Sequence, residues 1–298
     1  MPRVTTNGIE IEYETHGSSD DPVVLLIMGL GGQLTLWPVE FCDALVARGF
    51  RVIRYDNRDI GLSTKFDHAG LPDIAKITRD AIMKKPVSVA YTLNDMAADA
   101  NGLLEALGIE RAHIVGASMG GMIAQLVAAK YPQRVLSLTS IMSSTGNPTL
   151  PPPKMEALAI LTDRPASTDE EDMVNFGVKA ARVIGSPGYP AAEQRLRDNV
   201  RRDFRRSFSP GGYSRQMAAI IANGDRRDIL KQIRCPTLVI HGDADPLVPA
   251  EAGRDTARSI SGAELMVIPG MGHDLPLELH HTIADAIADL AAKAQATA

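Results

Sequence analysis

Apolar residues along this chain switch between two periods, and the switches mark its elements. Ile9-Glu10-Ile11-Glu12-Tyr13-Glu14 alternates with period two, Val4-Thr5-Thr6 precedes it, and Asn7-Gly8 lies between. That pattern predicts an antiparallel hairpin. After the polar turn Ser18 to Asp21, the run Val23-Val24-Leu25-Leu26-Ile27-Met28 is continuously apolar, as expected of a strand covered on both faces of a parallel sheet. A helix follows at about 38–48, then a strand at Arg51-Val52-Ile53-Arg54-Tyr55. Thr92-Leu93-Asn94-Asp95 has the form of a capping box that opens a helix running to about Leu107. Ala112-His113-Ile114-Val115 is a further strand, followed by a helix to Tyr131-Pro132 and a strand from Val135 to Met142. Strands alternating with helices in this way give an α/β fold with a mainly parallel sheet.

The rhythm breaks between about 147 and 230. Asn147-Pro148 and Pro151-Pro152-Pro153 stop regular structure there. Helical patterns then dominate, at about 153–162, 169–184 (Thr168 as N-cap, Glu171 at N3), 190–206 and 213–222, with Pro210-Gly211-Gly212 ending the third. The alternation resumes with a strand from Pro236 to His241, a helix at about 250–260, the strand Glu264-Leu265-Met266-Val267-Ile268, and a closing helix at about 277–293. The chain therefore divides into an α/β core, 1–146 and 231–298, and a helical cap inserted at 147–230.

Composition changes this picture little. A content of 45% hydrophobic and 22% charged residues is that of an ordinary soluble globular protein. The formal net charge of −5 disfavours non-specific nucleic-acid binding, which needs basic surface. The first residues carry no apolar secretion signal, and no apolar run approaches a membrane span, so a soluble, cytoplasmic protein is expected. Cys42 and Cys235, far apart in the chain, are expected to be buried, reduced thiols.

The chemistry begins at Gly116-Ala117-Ser118-Met119-Gly120-Gly121, a Gly-x-Ser-x-Gly between a predicted strand and helix. This is the form of a nucleophile elbow, whose glycines clear the way for a tight, strained turn at the serine. The following helix points its N-terminus at the site, where developing negative charge is favoured. A serine hydroxyl needs a base and a group to orient that base, and in this architecture the chain order is serine, acid, histidine. Of the seven histidines, His16 and His68 precede the elbow, His113 lies in the strand leading to it, and His280 and His281 lie on the closing helix, where a solvated face is expected. His241 ends a strand and competes, but His273, in Pro269-Gly270-Met271-Gly272-His273-Asp274 after the last strand, is the expected base. Asp243 and Asp245 follow the penultimate strand. Asp245 is the candidate acid, with Asp243 expected to make local turn bonds. The strand ending near Met142 is followed by Ser143-Ser144-Thr145-Gly146, which offers no carboxylate. The oxyanion is expected to accept from the backbone N–H of Met119 and of Leu30, with Gly29 letting the chain turn into the site.

The order Met28-Gly29-Leu30-Gly31, Tyr55-Asp56-Asn57-Arg58-Asp59-Ile60-Gly61-Leu62-Ser63, Gly116 to Gly121, Gly242-Asp243-Ala244-Asp245 and Gly270-Met271-Gly272-His273 resembles the α/β-hydrolase superfamily over nearly the whole chain. It is most similar to a bacterial branch of lipolytic carboxylesterases that also holds the aclacinomycin methylesterases. The resemblance implies an eight-stranded, mainly parallel sheet flanked by helices, with an inserted helical cap. Many relatives have His-Gly where this chain has Met28-Gly29, and Gly where it has Asp59; the branch shares both features. Haloalkane dehalogenases and epoxide hydrolases of this fold use aspartate at the Ser118 position, so neither activity is expected.

The expected reaction is acyl transfer to water on a small-molecule ester, calling for no cofactor and no metal. A lactonase or methylesterase, a phospholipase or thioesterase, a perhydrolase, and a non-catalytic ligand-binding protein are the alternatives. Cap residues such as Met155, Leu158, Met173, Phe176 and Met217 either line an acyl pocket or pack the cap onto the core. Trp37, seven residues after Leu30, is a candidate border of the pocket mouth, with plain packing as the other role. The run Arg195, Arg197, Arg201, Arg202, Arg205, Arg206 either attracts an anionic substrate or, as the favoured reading, pairs with Glu193, Asp198 and Asp203 at helical spacings.

Overall fold

A computed structural model describes residues 2–163 and 165–296, leaving Met1, Arg164, Thr297 and Ala298 outside the described residues. Eight strands form one sheet: β1 (Arg3–Thr6), β2 (Ile9–His16), β3 (Val23–Ile27), β4 (Arg51–Tyr55), β5 (Ala112–Ala117), β6 (Val135–Ile141), β7 (Thr237–Gly242) and β8 (Glu264–Ile268). Their spatial order is β1-β2-β4-β3-β5-β6-β7-β8, antiparallel from β1 through β4 and parallel from there to β8. The β1–β2 connection is the expected hairpin. Asn7 and Gly8 both have positive φ, 48° and 76°, the left-handed pair that a two-residue turn needs to match strand twist.

Eleven helices are present among the described residues: α1 (Val39–Val46), α2 (Ile74–Ile82), α3 (Leu93–Ala106), α4 (Met119–Lys130), α5 (Met155–Thr162), α6 (Glu170–Ile184), α7 (Glu193–Arg206), α8 (Pro210–Asn223), α9 (Arg227–Leu230), α10 (Ala250–Ser259) and α11 (His280–Ala296). The pleat sorts strand residues between two layers. Leu25, Ile27, Ile53, Tyr55 and Ile114 pack with α3 and α4 on one face. Val24, Leu26, Val52, Val115 and Ala117 pack with α1 and α11 on the other. Strand β3 is buried along its whole length, as its unbroken apolar run requires. No helix among the described residues is long and apolar enough to cross a membrane.

Several local expectations are corrected. Helix α2 has no counterpart in the sequence pattern, although Asp73 caps it by accepting from Lys76 N–H at 2.9 Å. Helix α6 starts after Asp169 rather than Thr168. Pro210-Gly211-Gly212 opens α8 instead of closing α7, because proline at the first helical position gives up only an N–H that has no helical partner there. Between β6 and β7 the described residues form helices α5 to α9 and no strand. The capping box at Thr92 and Asp95 is formed as expected.

Candidate active site

The site is assembled on the loops at the carboxyl ends of the parallel strands. Strand β5 ends at Ala117, α4 begins at Met119, and Ser118 between them has φ 55° and ψ −121°. Non-glycine residues rarely occupy such a conformation, and it persists only where the surroundings enforce it. Ser118 N–H donates to Ile141 O at 2.9 Å, and Ser118 O accepts from Ser143 Oγ at 2.8 Å. The turn also forces helix and sheet together: a Cβ on Gly120 would lie 2.0 Å from Ile27 O, so only glycine fits.

The structure brings Ser118, His273 and Asp245 into one hydrogen-bonded line. His273 Nε2 lies 2.9 Å from Ser118 Oγ, and His273 Nδ1 lies 2.7 Å from Asp245 Oδ2. A carboxylate can only accept, so Nδ1 carries the proton and Nε2 is free to accept from the serine hydroxyl. Asp245, on the loop after β7, is buried and fixed by two backbone bonds. Its Oδ1 accepts from the N–H groups of Leu247 and Val248, each at 2.8 Å, which aims Oδ2 at the histidine. Burial pushes the Asp245 carboxyl up. The neighbouring His273 charge, bonds from His241 and His273, and the Val248 N–H outweigh it and hold the group well below the usual carboxylate range.

His241, the competing base, is fully buried behind the acid. Its Nε2 lies 2.7 Å from Val248 O and 3.5 Å from Asp245 Oδ2.

Gly29 abuts Ser118, since a Cβ there would lie 3.0 Å from Ser118 Cβ and 3.5 Å from its Oγ. The N–H groups of Leu30 and Met119 donate to no acceptor among the described residues. Met119 is the first residue of α4, where helix geometry leaves the N–H unpaired. The next residue of the glycine loop, Gly31, donates its N–H to Gln216 Oε1 of α8 at 2.9 Å.

Other sequence candidates fall elsewhere. Trp37 is fully buried and stacks on Phe41 with ring centroids 5.5 Å apart, so it packs the core beneath α1 and is not at a pocket mouth. Asp243 makes no local turn bond through its carboxylate; Oδ1 accepts from Gly270 N–H at 2.7 Å, tying the acid loop to the histidine loop. His280 is buried against the edge of Phe41 rather than solvated. The arginines of α7 pair with Asp198 (Arg201) and Asp203 (Arg202) as expected, and more often with another helix: Arg197 and Arg201 with Glu171, Arg201 and Arg205 with Glu170 of α6, and Arg195 with Glu40. Arg206 reaches the buried Asp56 at 2.7 Å.

The segment 55–63, legible only as part of a motif, is a polar hub beside the site. Asp56 accepts from the N–H groups of Leu34 and Leu62, Asn57 donates to Met28 O, and Arg58 grips Asp99 through two bonds. Asp59, at φ 74°, is gripped in the same way by Arg215 of α8. Glycine adopts this left-handed backbone freely, and aspartate is among the few other residues that tolerate it.

A strained serine on a strand–helix turn, a histidine and a carboxylate on later loops, and a mainly parallel sheet beneath them define the α/β-hydrolase class. The chain belongs to that family: the family model described as alpha/beta hydrolase fold matches residues 22–278. It is 31% identical to rhodomycin D methylesterase DnrP of Streptomyces peucetius, over 95% of each chain. Rhodomycin D methylesterase DauP of Streptomyces sp. (strain C5) gives the same identity and coverage. Among solved structures, a thermophilic esterase from Thermogutta terrifontis superimposes with a TM-score of 0.71 at 26% identity, covering 99% of both chains.

Proposed function

We propose that this protein is a serine carboxylesterase that hydrolyses small to medium acyl esters through an acyl-enzyme. Ser118 Oγ attacks the carbonyl carbon while His273 Nε2 takes its proton. The oxygen that becomes negative accepts from the N–H groups of Met119 and Leu30, and Asp245 holds the imidazole and stabilises its charged form. Collapse expels the alcohol, which leaves with the proton from His273. Water, deprotonated by the same nitrogen, then releases the acid and regenerates Ser118. The carrying observation is the unbroken line Asp245–His273–Ser118, with bonds of 2.7 and 2.9 Å ending on a strained serine.

The helical segment 147–230 serves as the cap in this reading. Its support is that the segment is bonded to the loops that carry Asp245, His273 and the glycines beside Ser118. Lys154 N–H donates to Pro246 O beside the acid at 2.8 Å, His273 N–H donates to Ile184 O at 2.8 Å, and Gln216 accepts from Gly31 at 2.9 Å. A methylesterase is the second reading, favoured by the two Streptomyces relatives.

Purified protein should release p-nitrophenol from p-nitrophenyl butyrate, and Ser118→Ala and His273→Ala should each lower kcat by at least about 1,000-fold. Wild-type turnover in either variant would refute the assignment, and a folded protein that binds esters without turnover would refute the enzyme.

A further inference from the structure

The loop that carries His273 is fastened to the end of α6. His273 N–H donates to Ile184 O at 2.8 Å and Gly188 N–H to Gly270 O at 2.9 Å, so backbone bonds hold the loop at the histidine and at the glycine that opens it. The two segments are packed without room for a methyl group: a Cβ on Gly272 would lie 2.3 Å from Gly185 O, and one on Gly188 would lie 2.9 Å from Gly270 Cα. One side chain links them. Ser186, 4% exposed, accepts from Gly272 N–H at 2.8 Å and donates its hydroxyl proton to Asp274 Oδ1. Its two partners are the residues immediately before and after His273.

We propose that Ser186 is a positioning residue of the cap, which sets the orientation of the His273 imidazole by clamping Gly272 and Asp274 on either side of it. This rests on the reading of His273 as the base. Asp245 fixes the ring only through Nδ1, leaving the ring free to pivot about that bond, and Ser118 is the atom it must face. Holding the Gly272 backbone on one side and the Asp274 carboxylate on the other limits that pivot. Partial burial holds the Asp274 carboxyl above its ordinary value, and the Ser186 hydroxyl is the largest influence opposing that rise; its ionised form therefore depends on the clamp. The cap thus does more than cover the site. It completes the site's geometry, and displacing the end of α6 would disarm the base.

The test is Ser186→Ala in the full chain, assayed on p-nitrophenyl butyrate. A histidine displaced by a fraction of an ångström should lower kcat by about 10- to 100-fold. KM should change less than about two-fold, because no ester contact is removed. The low-field proton resonance of His273 Nδ1, which reports the bond to Asp245, should shift or broaden. The double variant Ser186→Ala/Asp274→Ala should be no slower than the slower single variant, since both remove one clamp. If Ser186→Ala does not fold, Asp274→Asn, which keeps the volume, should show the same kcat-only loss in milder form. Wild-type kcat in these variants, or a loss with an unchanged Nδ1 resonance, would overturn the proposal. Turnover surviving in His273→Ala would instead refute the reading of the base, so the two failures are told apart.

Discussion

Replacing Arg215 by methionine tests how α8 is held against the 55–63 segment. Arg215, on α8, is 3% exposed and meets Asp59 with Nε at 2.6 Å and Nη2 at 2.7 Å. It also donates to Asp67 and to Gly70 O, each at 2.9 Å. Asp59 is fully buried, and although burial pushes its carboxyl up, the bonds from Arg215, Phe66 N–H and Tyr91 hold it below the ordinary value. Arg215→Met leaves that charge with only the Phe66 and Tyr91 donors. Breaking a buried pair from one side costs about 3–5 kcal/mol, and the two surviving donors place this case near 3. For a chain of this size each kcal/mol moves Tm by about 2 °C, so Tm should fall by about 6 °C. Because the next residue, Gln216, holds Gly31 in the glycine loop, kcat/KM should fall too. Asp59→Asn/Arg215→Met removes both charges and should be more stable than Arg215→Met alone. Urea and thermal unfolding of the four proteins completes the cycle. A loss below about 1 kcal/mol for Arg215→Met, or strictly additive effects, would refute the argument that a buried, mutually dependent pair anchors α8.

Three further outcomes follow from the same physics. Gly29→Ala should leave the fold intact but lower kcat by about 10-fold, because a new Cβ 3.0 Å from Ser118 Cβ must push the glycine loop and its Leu30 N–H off position; steady-state kinetics reads it, and an unchanged kcat counts against Leu30 as an oxyanion donor. His113 is fully buried in β5, and burial lowers its pKa from 6.5 to about 4. Below pH 6.5 the unfolded chain therefore takes a proton that the folded one refuses, so urea unfolding should show about 2 kcal/mol less stability from this group at pH 5 than at pH 7.5, a difference absent from His113→Gln. Burial raises the thiols of Cys42 to about 12 and Cys235 to about 11; a disulfide reagent at pH 8 should react rapidly with neither in native protein and with both in urea.

Much of the molecule is written in local pattern. The Asn7-Gly8 turn, the β3 run and the Thr92–Asp95 box each act within a few residues, so their consequences are legible one element at a time; the glycines around Ser118 are legible as a motif, although Gly120 is required by Ile27 far away in sequence. The spacing of Ser118, Asp245 and His273 is legible because each follows a strand of a parallel sheet, and such loops converge at one edge. What was misread depends on partners far away in sequence. Arg215 finds Asp59 and Arg206 finds Asp56 from more than a hundred residues away, and nothing near any of the four announces the pairing. The same holds for Arg197 with Glu171 across two helices, where intrahelical spacing suggested nearer partners. Asp243 and Ser186 are ordinary turn residues by type, and only the meeting of loops gives them the histidine loop to hold. Pro210 reads equally as an end or a beginning until the preceding helix is seen to stop at Arg206.

The proposed route requires that Ser118 become covalently acylated and that His273 drive both halves of the reaction. Rapid-quench mixing of the enzyme with excess p-nitrophenyl butyrate, followed by peptide mapping by mass spectrometry, tests it most directly. A butyryl group should form on Ser118 within the first turnover, be lost as substrate is exhausted, and fail to form in His273→Ala. An active enzyme with no acyl group on Ser118, or with the acyl group on another residue, would contradict it.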